Sequence, residues 1–206
     1  VTPSHGGSGS QARAVVDGLP ADVATLALFP DTFQLQKKGL IDPGWEKRYP
    51  STSLPYTSTI VFAVRKGNPF GLRDWPDLLT KQARVVTPNP KTSGAAKLTV
   101  LALWGAVTRA GGSEAEADAF VGDVYRRVPS LETSARAATV TFARKGIGDV
   151  QLAWENEAWL EHDESRGGIE VVYPTRSIRA EPHVCVVDAV ARRRGTAGAA
   201  DRYVTF

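Results

Sequence analysis

The sequence predicts an α/β fold in two lobes, and three observations predict it. Apolar, β-branched runs such as Thr57-Ser58-Thr59-Ile60-Val61-Phe62-Ala63-Val64-Arg65 alternate with helix-forming stretches such as residues 93–110. Turns of small residues open several of those helices, most clearly at His5-Gly6-Gly7-Ser8-Gly9 and Pro88-Asn89-Pro90-Lys91-Thr92-Ser93-Gly94-Ala95. Extended segments also suggest two crossings between units, near Arg65–Pro69 and near Ile178–Glu181. Strand–helix alternation implies sheets rich in parallel pairs and flanked by helices. Two crossings imply a hinge, with residues 1–65 in one lobe, 66–178 in the other and 179–206 returning to the first.

Composition fits that class. Of 206 residues, 42% are hydrophobic and 23% charged, as in ordinary folded domains. With 25 basic against 22 acidic residues, the formal charge of +3 is too balanced to point to nucleic acid. No apolar run approaches the length of a membrane span. The single cysteine, Cys185, lies in an apolar run and reads as a lone buried thiol. Val1-Thr2-Pro3-Ser4 and Tyr203-Val204-Thr205-Phe206 read as interior segments, so a chain cut at both ends is expected, and no signal peptide is visible.

The elements follow in order. Residues 9–18 read as a helix with Ser8 and Gln11 as a capping box. Residues 22–28 read as a buried strand and 31–39 as a weak helix ending at Gly39. Residues 45–55, with two prolines, form an irregular loop, and 57–65 a strand closed by the turn Lys66-Gly67-Asn68-Pro69. Pro76 marks a helix start. A short strand at 83–87 precedes a long helix at 93–110, whose Leu98, Leu101, Leu103, Trp104 and Val107 are available to the core. Gly111-Gly112 stops that helix. Ser113 and Glu116 form a second capping box, and residues 134–145 are helical. A strand at 148–154 leads into a helix at 155–162. Strands at 169–173 and 179–188 and a helix at 196–206 complete the chain, with Arg192-Arg193-Arg194 as a solvated helix end.

A helix N-terminus presents unpaired N–H groups and a partial positive charge, so it holds an anion without a lysine or arginine. The small-residue turns carry no catalytic group. His5-Gly6-Gly7-Ser8 matches an esterase oxyanion loop, but the chain lacks the Gly-x-Ser-x-Gly nucleophile turn that must accompany it. Glu155 and Glu157, two apart on a helix, do not share a face as an acid pair would. No histidine or cysteine cluster supports a metal, and no phosphate-loop string is present. Neither an enzyme nor a cofactor is expected. Trp75, Trp104 and Trp159 read as packing, while Trp45 is undecided.

The strings Ser4-His5-Gly6-Gly7-Ser8-Gly9, Pro55-Tyr56-Thr57-Ser58-Thr59 and Thr87-Pro88-Asn89-Pro90-Lys91-Thr92-Ser93-Gly94 carry a resemblance. So do Gly146-Ile147-Gly148-Asp149-Val150, Ala153-Trp154-Glu155-Asn156-Glu157-Ala158 and Ala180-Glu181-Pro182. Together they make the chain similar, along its whole length, to bacterial sulfate-binding proteins, the extracytoplasmic receptors of sulfate ABC importers. The resemblance implies the type II periplasmic-binding-protein fold, with the ligand in the cleft between lobes that close on it. It implies donors from the Ser8 backbone N–H, the Ser93 hydroxyl, the Gly94, Ala95 and Ala135 backbone N–H groups and the Trp154 indole. His5, Gly7 and Arg136 would support them. Ala95 stands where the family usually has a second glycine, Ser134 replaces a glycine, and Lys97 stands where an arginine is common. A further donor loop ahead of Val1 and a helical region after Phe206 are also implied.

These donors suit sulfate. It is fully deprotonated at neutral pH and only accepts hydrogen bonds, whereas phosphate keeps a proton that needs an acceptor. No matched position is a carboxylate, so that proton would stay unpaired, at about 1–3 kcal/mol or more. The implied partners are sulfate and a membrane permease, with no nucleic acid and a monomeric chain. The implied location is periplasmic or extracytoplasmic, with a lipid anchor on a preceding segment left open. A thiosulfate or molybdate/tungstate receptor and the effector-sensing domain of a transcription regulator stand as alternatives.

Overall fold

In chain order the helices are α1 (Ser8–Val16), α2 (Phe29–Lys37), α3 (Pro50–Ser53), α4 (Asp77–Thr80), α5 (Gly94–Thr108), α6 (Glu114–Tyr125), α7 (Ala135–Thr139), α8 (Glu155–Glu164), α9 (Asp188–Arg194) and α10 (Ala197–Thr205). The strands are β1 (Val23–Leu26), β2 (Ser58–Arg65), β3 (Val85–Pro88), β4 (Leu131–Glu132), β5 (Val150–Trp154), β6 (Ile169–Val172), β7 (Arg179–Ala180) and β8 (His183–Val186). The structure, a computed structural model, describes residues 1–205. It divides into one unit of Val1–Thr57 with Ala180–Phe206 and a second of Ser58–Arg179. β2 thus lies in the second unit, where it pairs with β5 and β6.

The first unit is built around β1 and β8, which pair antiparallel with Ala24 opposite Cys185. Their inward residues pack with Ala12 and Val15 of α1, Leu35 of α2 and Trp45. Trp45 is a core residue: its ring is buried against Phe29 and His183, and its indole N–H donates to Gln36 Oε1 at 2.9 Å. Cys185 is buried, as its apolar run predicts, and burial pushes its thiol up to about 12.

In the second unit the strand order is β4-β3-β5-β2-β6, with β7 pairing β2 off that path. β2 is apolar on both faces because it lies inside this sheet, antiparallel to β5 on one side and to β6 on the other. On the far side of β5 the pairing becomes parallel: Val85 of β3 sits opposite Val150 of β5, and Thr87 opposite Leu131 of β4. The expected parallel-rich sheet therefore describes the β4-β3-β5 portion, and the whole sheet is mixed. Helix alternation alone does not fix the direction of strands distant in sequence, since these pair either way once a crossover spans them.

Other differences have local causes. Ser8 and Gln11 do not form a capping box: Gly7 is the cap of α1, and the Ser8 hydroxyl is engaged elsewhere. The box at Ser113 and Glu116 is present in both directions. The helix read at 134–145 is α7 followed by a π-helical turn, Val140–Arg144. Leu101 and Trp159 are 52% and 45% exposed rather than packed in the core, each on the outer face of its helix. Trp75 is buried edge-on against Phe62, as a packing residue should be. Arg192 at the solvated end of α9 forms a two-pronged pair with Asp42.

Candidate functional site

Three adjacent parallel strands, β4, β3 and β5, end on the same edge of the sheet, at Glu132, Pro88 and Trp154. A helix starts after each: α7 at Ala135, α5 at Gly94 and α8 at Glu155. In α/β sheets the edge at the carboxyl ends of parallel strands is where ligands bind, because unpaired helix N–H groups face it. Capping turns after β3 and β4 and the direct passage of β5 into α8 produce this arrangement.

In the turn after β3, the Ser93 N–H donates to Asn89 O at 2.9 Å. Ser93 takes an extended conformation as cap of α5, and its Oγ accepts from Ala96 N at 3.5 Å. A hydroxyl that accepts in this way keeps its own proton to give. Ser93 and Gly94 are buried and Ala95 is half-buried. The turn after β4 is fastened to this one: Asn89 N donates to Glu132 O at 2.7 Å, and Thr92 Oγ1 to Thr133 O at 2.8 Å. Here Ser134 is the cap, its Oγ accepting from Ala137 N at 3.2 Å, and the half-buried Ala135 opens α7. The Glu132 carboxylate is occupied, accepting from Thr141 Oγ1 at 2.8 Å.

Trp154 ends β5 opposite Ile60 and takes the cap position of α8. It is 7% exposed, with its indole nitrogen buried. The second unit thus gathers Ser93, Gly94, Ala95, Ala135 and Trp154 at one sheet edge. Arg136 stands beside them with an exposed side chain that reaches Glu164 Oε1 at 3.4 Å.

His5, Gly7 and Ser8 lie in the first unit. His5 is exposed, and the buried Gly7 accepts at its carbonyl from both Ser10 N and Gln11 N at 2.9 Å. The Ser8 hydroxyl donates to Asp31 Oδ2 at 3.1 Å and accepts from Ala27 N at 2.9 Å, so its proton is committed within the fold. Its backbone N–H, in the first turn of α1, is among the groups with no intrahelical partner.

Sequence reasoning passed over four residues around this edge. Thr92 joins two of the turns. Thr139, Gln151 and Glu161, all buried, form a polar group behind them. Burial pushes the Glu161 carboxyl up to about 7; hydrogen bonds from Thr139 and Gln151 and the charge of Arg136 oppose that shift, while Glu157 adds to it. The available signal was periodicity: Glu161 falls three residues after the buried Ala158, on the same helix face. Of the two acids weighed as a pair, Glu155 accepts from Tyr173 OH at 2.6 Å. Among the described residues no group of three metal-ligating side chains occurs, and no helix is long and apolar enough to cross a membrane.

Residues 1–206 match the family described as bacterial extracellular solute-binding protein. The chain belongs to that family. It is 50% identical to a thiosulfate-binding protein of Pseudomonas aeruginosa, over 98% of this chain and 62% of that protein. It is 48% identical to a sulfate-binding protein of Escherichia coli, over 100% of this chain and 63% of that one. The chain therefore spans less than two thirds of the length of these relatives. The solved sulfate-binding protein SubI from Mycobacterium tuberculosis superposes with a TM-score of 0.86 at 34% identity, covering 98% of this chain and 70% of its own. The periplasmic binding protein AfuA from Actinobacillus pleuropneumoniae shares the fold, with a TM-score of 0.74 at 17% identity over 97% of this chain and 69% of its own.

Proposed function

We propose that this protein captures sulfate outside the cytoplasm and passes it to the permease of an ABC importer, without catalysing a reaction. The observation that carries the reading is the sheet edge in the second unit. There a serine hydroxyl, helix-start N–H groups and an indole N–H gather at Ser93, Gly94, Ala95, Ala135 and Trp154, and none of these five is a carboxylate. A site made only of donors satisfies an ion that only accepts, and leaves the proton of phosphate unpaired. The Ser8 N–H is a further donor of the same kind, and Arg136 supports the edge through Glu164. The names of the relatives from Escherichia coli and Mycobacterium tuberculosis agree with this ligand.

Thiosulfate is the second reading, favoured by the name of the Pseudomonas aeruginosa relative. It too only accepts, so the donor set serves it equally. A thermal-shift and calorimetric panel of sulfate, thiosulfate, molybdate and phosphate tests both readings, because a ligand of the native state raises the melting temperature. Sulfate or thiosulfate should stabilise the chain and phosphate should not. Comparable binding of phosphate would overturn the proposal.

A further inference from the structure

Behind the sheet edge, three buried side chains from three elements share one hydroxyl. Thr139 Oγ1, in α7, lies 2.7 Å from Glu161 Oε1 on α8, 3.2 Å from Gln151 Nε2 on β5, and 3.3 Å from Ala135 O at the start of its own helix. Gln151 Nε2 donates to the hydroxyl oxygen. The single hydroxyl proton then goes either to Glu161 or to the Ala135 carbonyl. Glu161 and Gln151 are 1% and 2% exposed, yet Glu161 Oε2 and Gln151 Oε1 have no hydrogen-bond partner. With Glu161 ionised, both orphans are acceptors and nothing supplies a proton. With Glu161 protonated, the group gains the O–H it lacks, and the Thr139 proton is released toward Ala135 O.

Among the described residues no cation forms an ion pair with Glu161, and the charges of Arg136 and Arg65 reach it only at longer range. Arg136 of α7 is drawn to Glu164, and Arg65 of β2 donates to Ile147 O and Gly148 O. Arg144, from the π-helical turn, lines the same cavity without an ion pair to Glu161. On α8 itself Glu157 carries the same sign, and His162 holds Ile169 O at 2.7 Å. From β6, Glu170 is bonded to Gly67 N. A cavity of about 330 Å³ lined by Arg136, Thr139, Arg144, Glu161 and Glu164 gives the carboxyl a route for proton exchange.

We propose that Glu161 links anion capture to proton uptake: its neutral form favours an anion at the ends of β3, β4 and β5, and the arriving anion draws a proton onto it. The inference rests on the sulfate reading of that edge. Its cause is electrostatic, since a buried negative charge behind the edge opposes a dianion in front of it. Linkage is reciprocal, so whatever protonation adds to anion affinity, the anion adds to proton affinity. The burial-raised titration near neutrality puts both forms within reach of ordinary pH.

Titration calorimetry with sulfate at pH 7, in two chloride-containing buffers of different ionisation enthalpy, measures the protons taken up. The chain should take up roughly 0.3 proton per sulfate near pH 7, and its Kd should rise severalfold from pH 6 to pH 8. Glu161→Gln should bind sulfate with no uptake and a flat profile. Thr139→Val, which removes a donor to the ionised carboxyl, should move maximal uptake to higher pH, a shift that a titrating histidine would not give. Sulfate binding without uptake in the parent chain, or with the same uptake in Glu161→Gln, would overturn the inference while leaving the sulfate reading intact. No sulfate binding by any variant would overturn the sulfate reading and this inference with it.

Discussion

The Arg65 guanidinium lies 3.8 Å over the centre of the Phe142 ring. Its Nη2 also donates to Ile147 O at 3.3 Å and to Gly148 O at 3.0 Å, so one guanidinium joins β2 to the π-helical turn and to the loop entering β5. Lysine keeps the charge but not the planar group that stacks on the ring. Arg65→Lys should destabilise the protein by about 1–2 kcal/mol, read as a lower urea midpoint at unchanged slope.

Gly148, in the same loop, has φ of +84°, and a Cβ there would meet Val86 Cγ2 at 2.4 Å and Arg84 O at 3.3 Å. Backbone strain and a clash with a buried valine on β3 act together. Gly148→Ala should cost about 2 kcal/mol or more, checked by chemical denaturation.

Ser93 does two jobs that substitution separates. As cap it holds Ala96 N, and in the proposed site it gives its hydroxyl proton. Ser93→Ala should lose about 1 kcal/mol of stability, and Ser93→Gly only a few tenths, since glycine is tolerated at the cap. Both should weaken sulfate binding by about tenfold, because both lose a donor to a charged acceptor. A loss of affinity that tracks stability instead would assign Ser93 to the fold alone.

Trp154→Phe keeps a ring in the buried position at the end of β5 and removes only the indole N–H. Sulfate affinity should fall by about tenfold with little change in melting temperature. Equal affinity in calorimetry would remove Trp154 from the donor set.

Glu161 also makes stability depend on pH. Its carboxyl titrates at the ordinary glutamate value of 4.5 when unfolded and, raised by burial, at about 7 when folded. Between those values the folded state holds the extra proton, so stability falls as pH rises, and the cost is complete above about 7. Glu161→Gln should therefore be more stable than the parent at pH 8, by roughly 2–3 kcal/mol, with the gain vanishing near pH 4.5. Urea melts at the two pH values read the difference directly; an equal gain at both would show that the residue does not titrate this way.

Strands, helix starts and caps were legible because each is decided locally. The β-branched run of β2, the Ser113–Glu116 box and Gly94 after Ser93 announce themselves within a few residues. Strand direction was not legible, because β2 meets β5 across some ninety residues of chain and alternation says nothing about its sense. The Ser8 hydroxyl read as a cap because its true partner, Asp31, lies 23 residues away. Glu161 hid in the acidic run Glu161-His162-Asp163-Glu164, which reads as a solvated face until the helix is set against β5.

The pairing of Ala24 with Cys185 sets an order of assembly during synthesis. All of Ser58–Arg179 leaves the ribosome before β8 exists, so the second unit has its complete sheet available while β1 still waits for a partner. Closing a loop of that length costs chain entropy that grows only slowly with its size. A second unit already folded shortens the effective span, so the small antiparallel sheet of the first unit closes after it, once β8 has emerged.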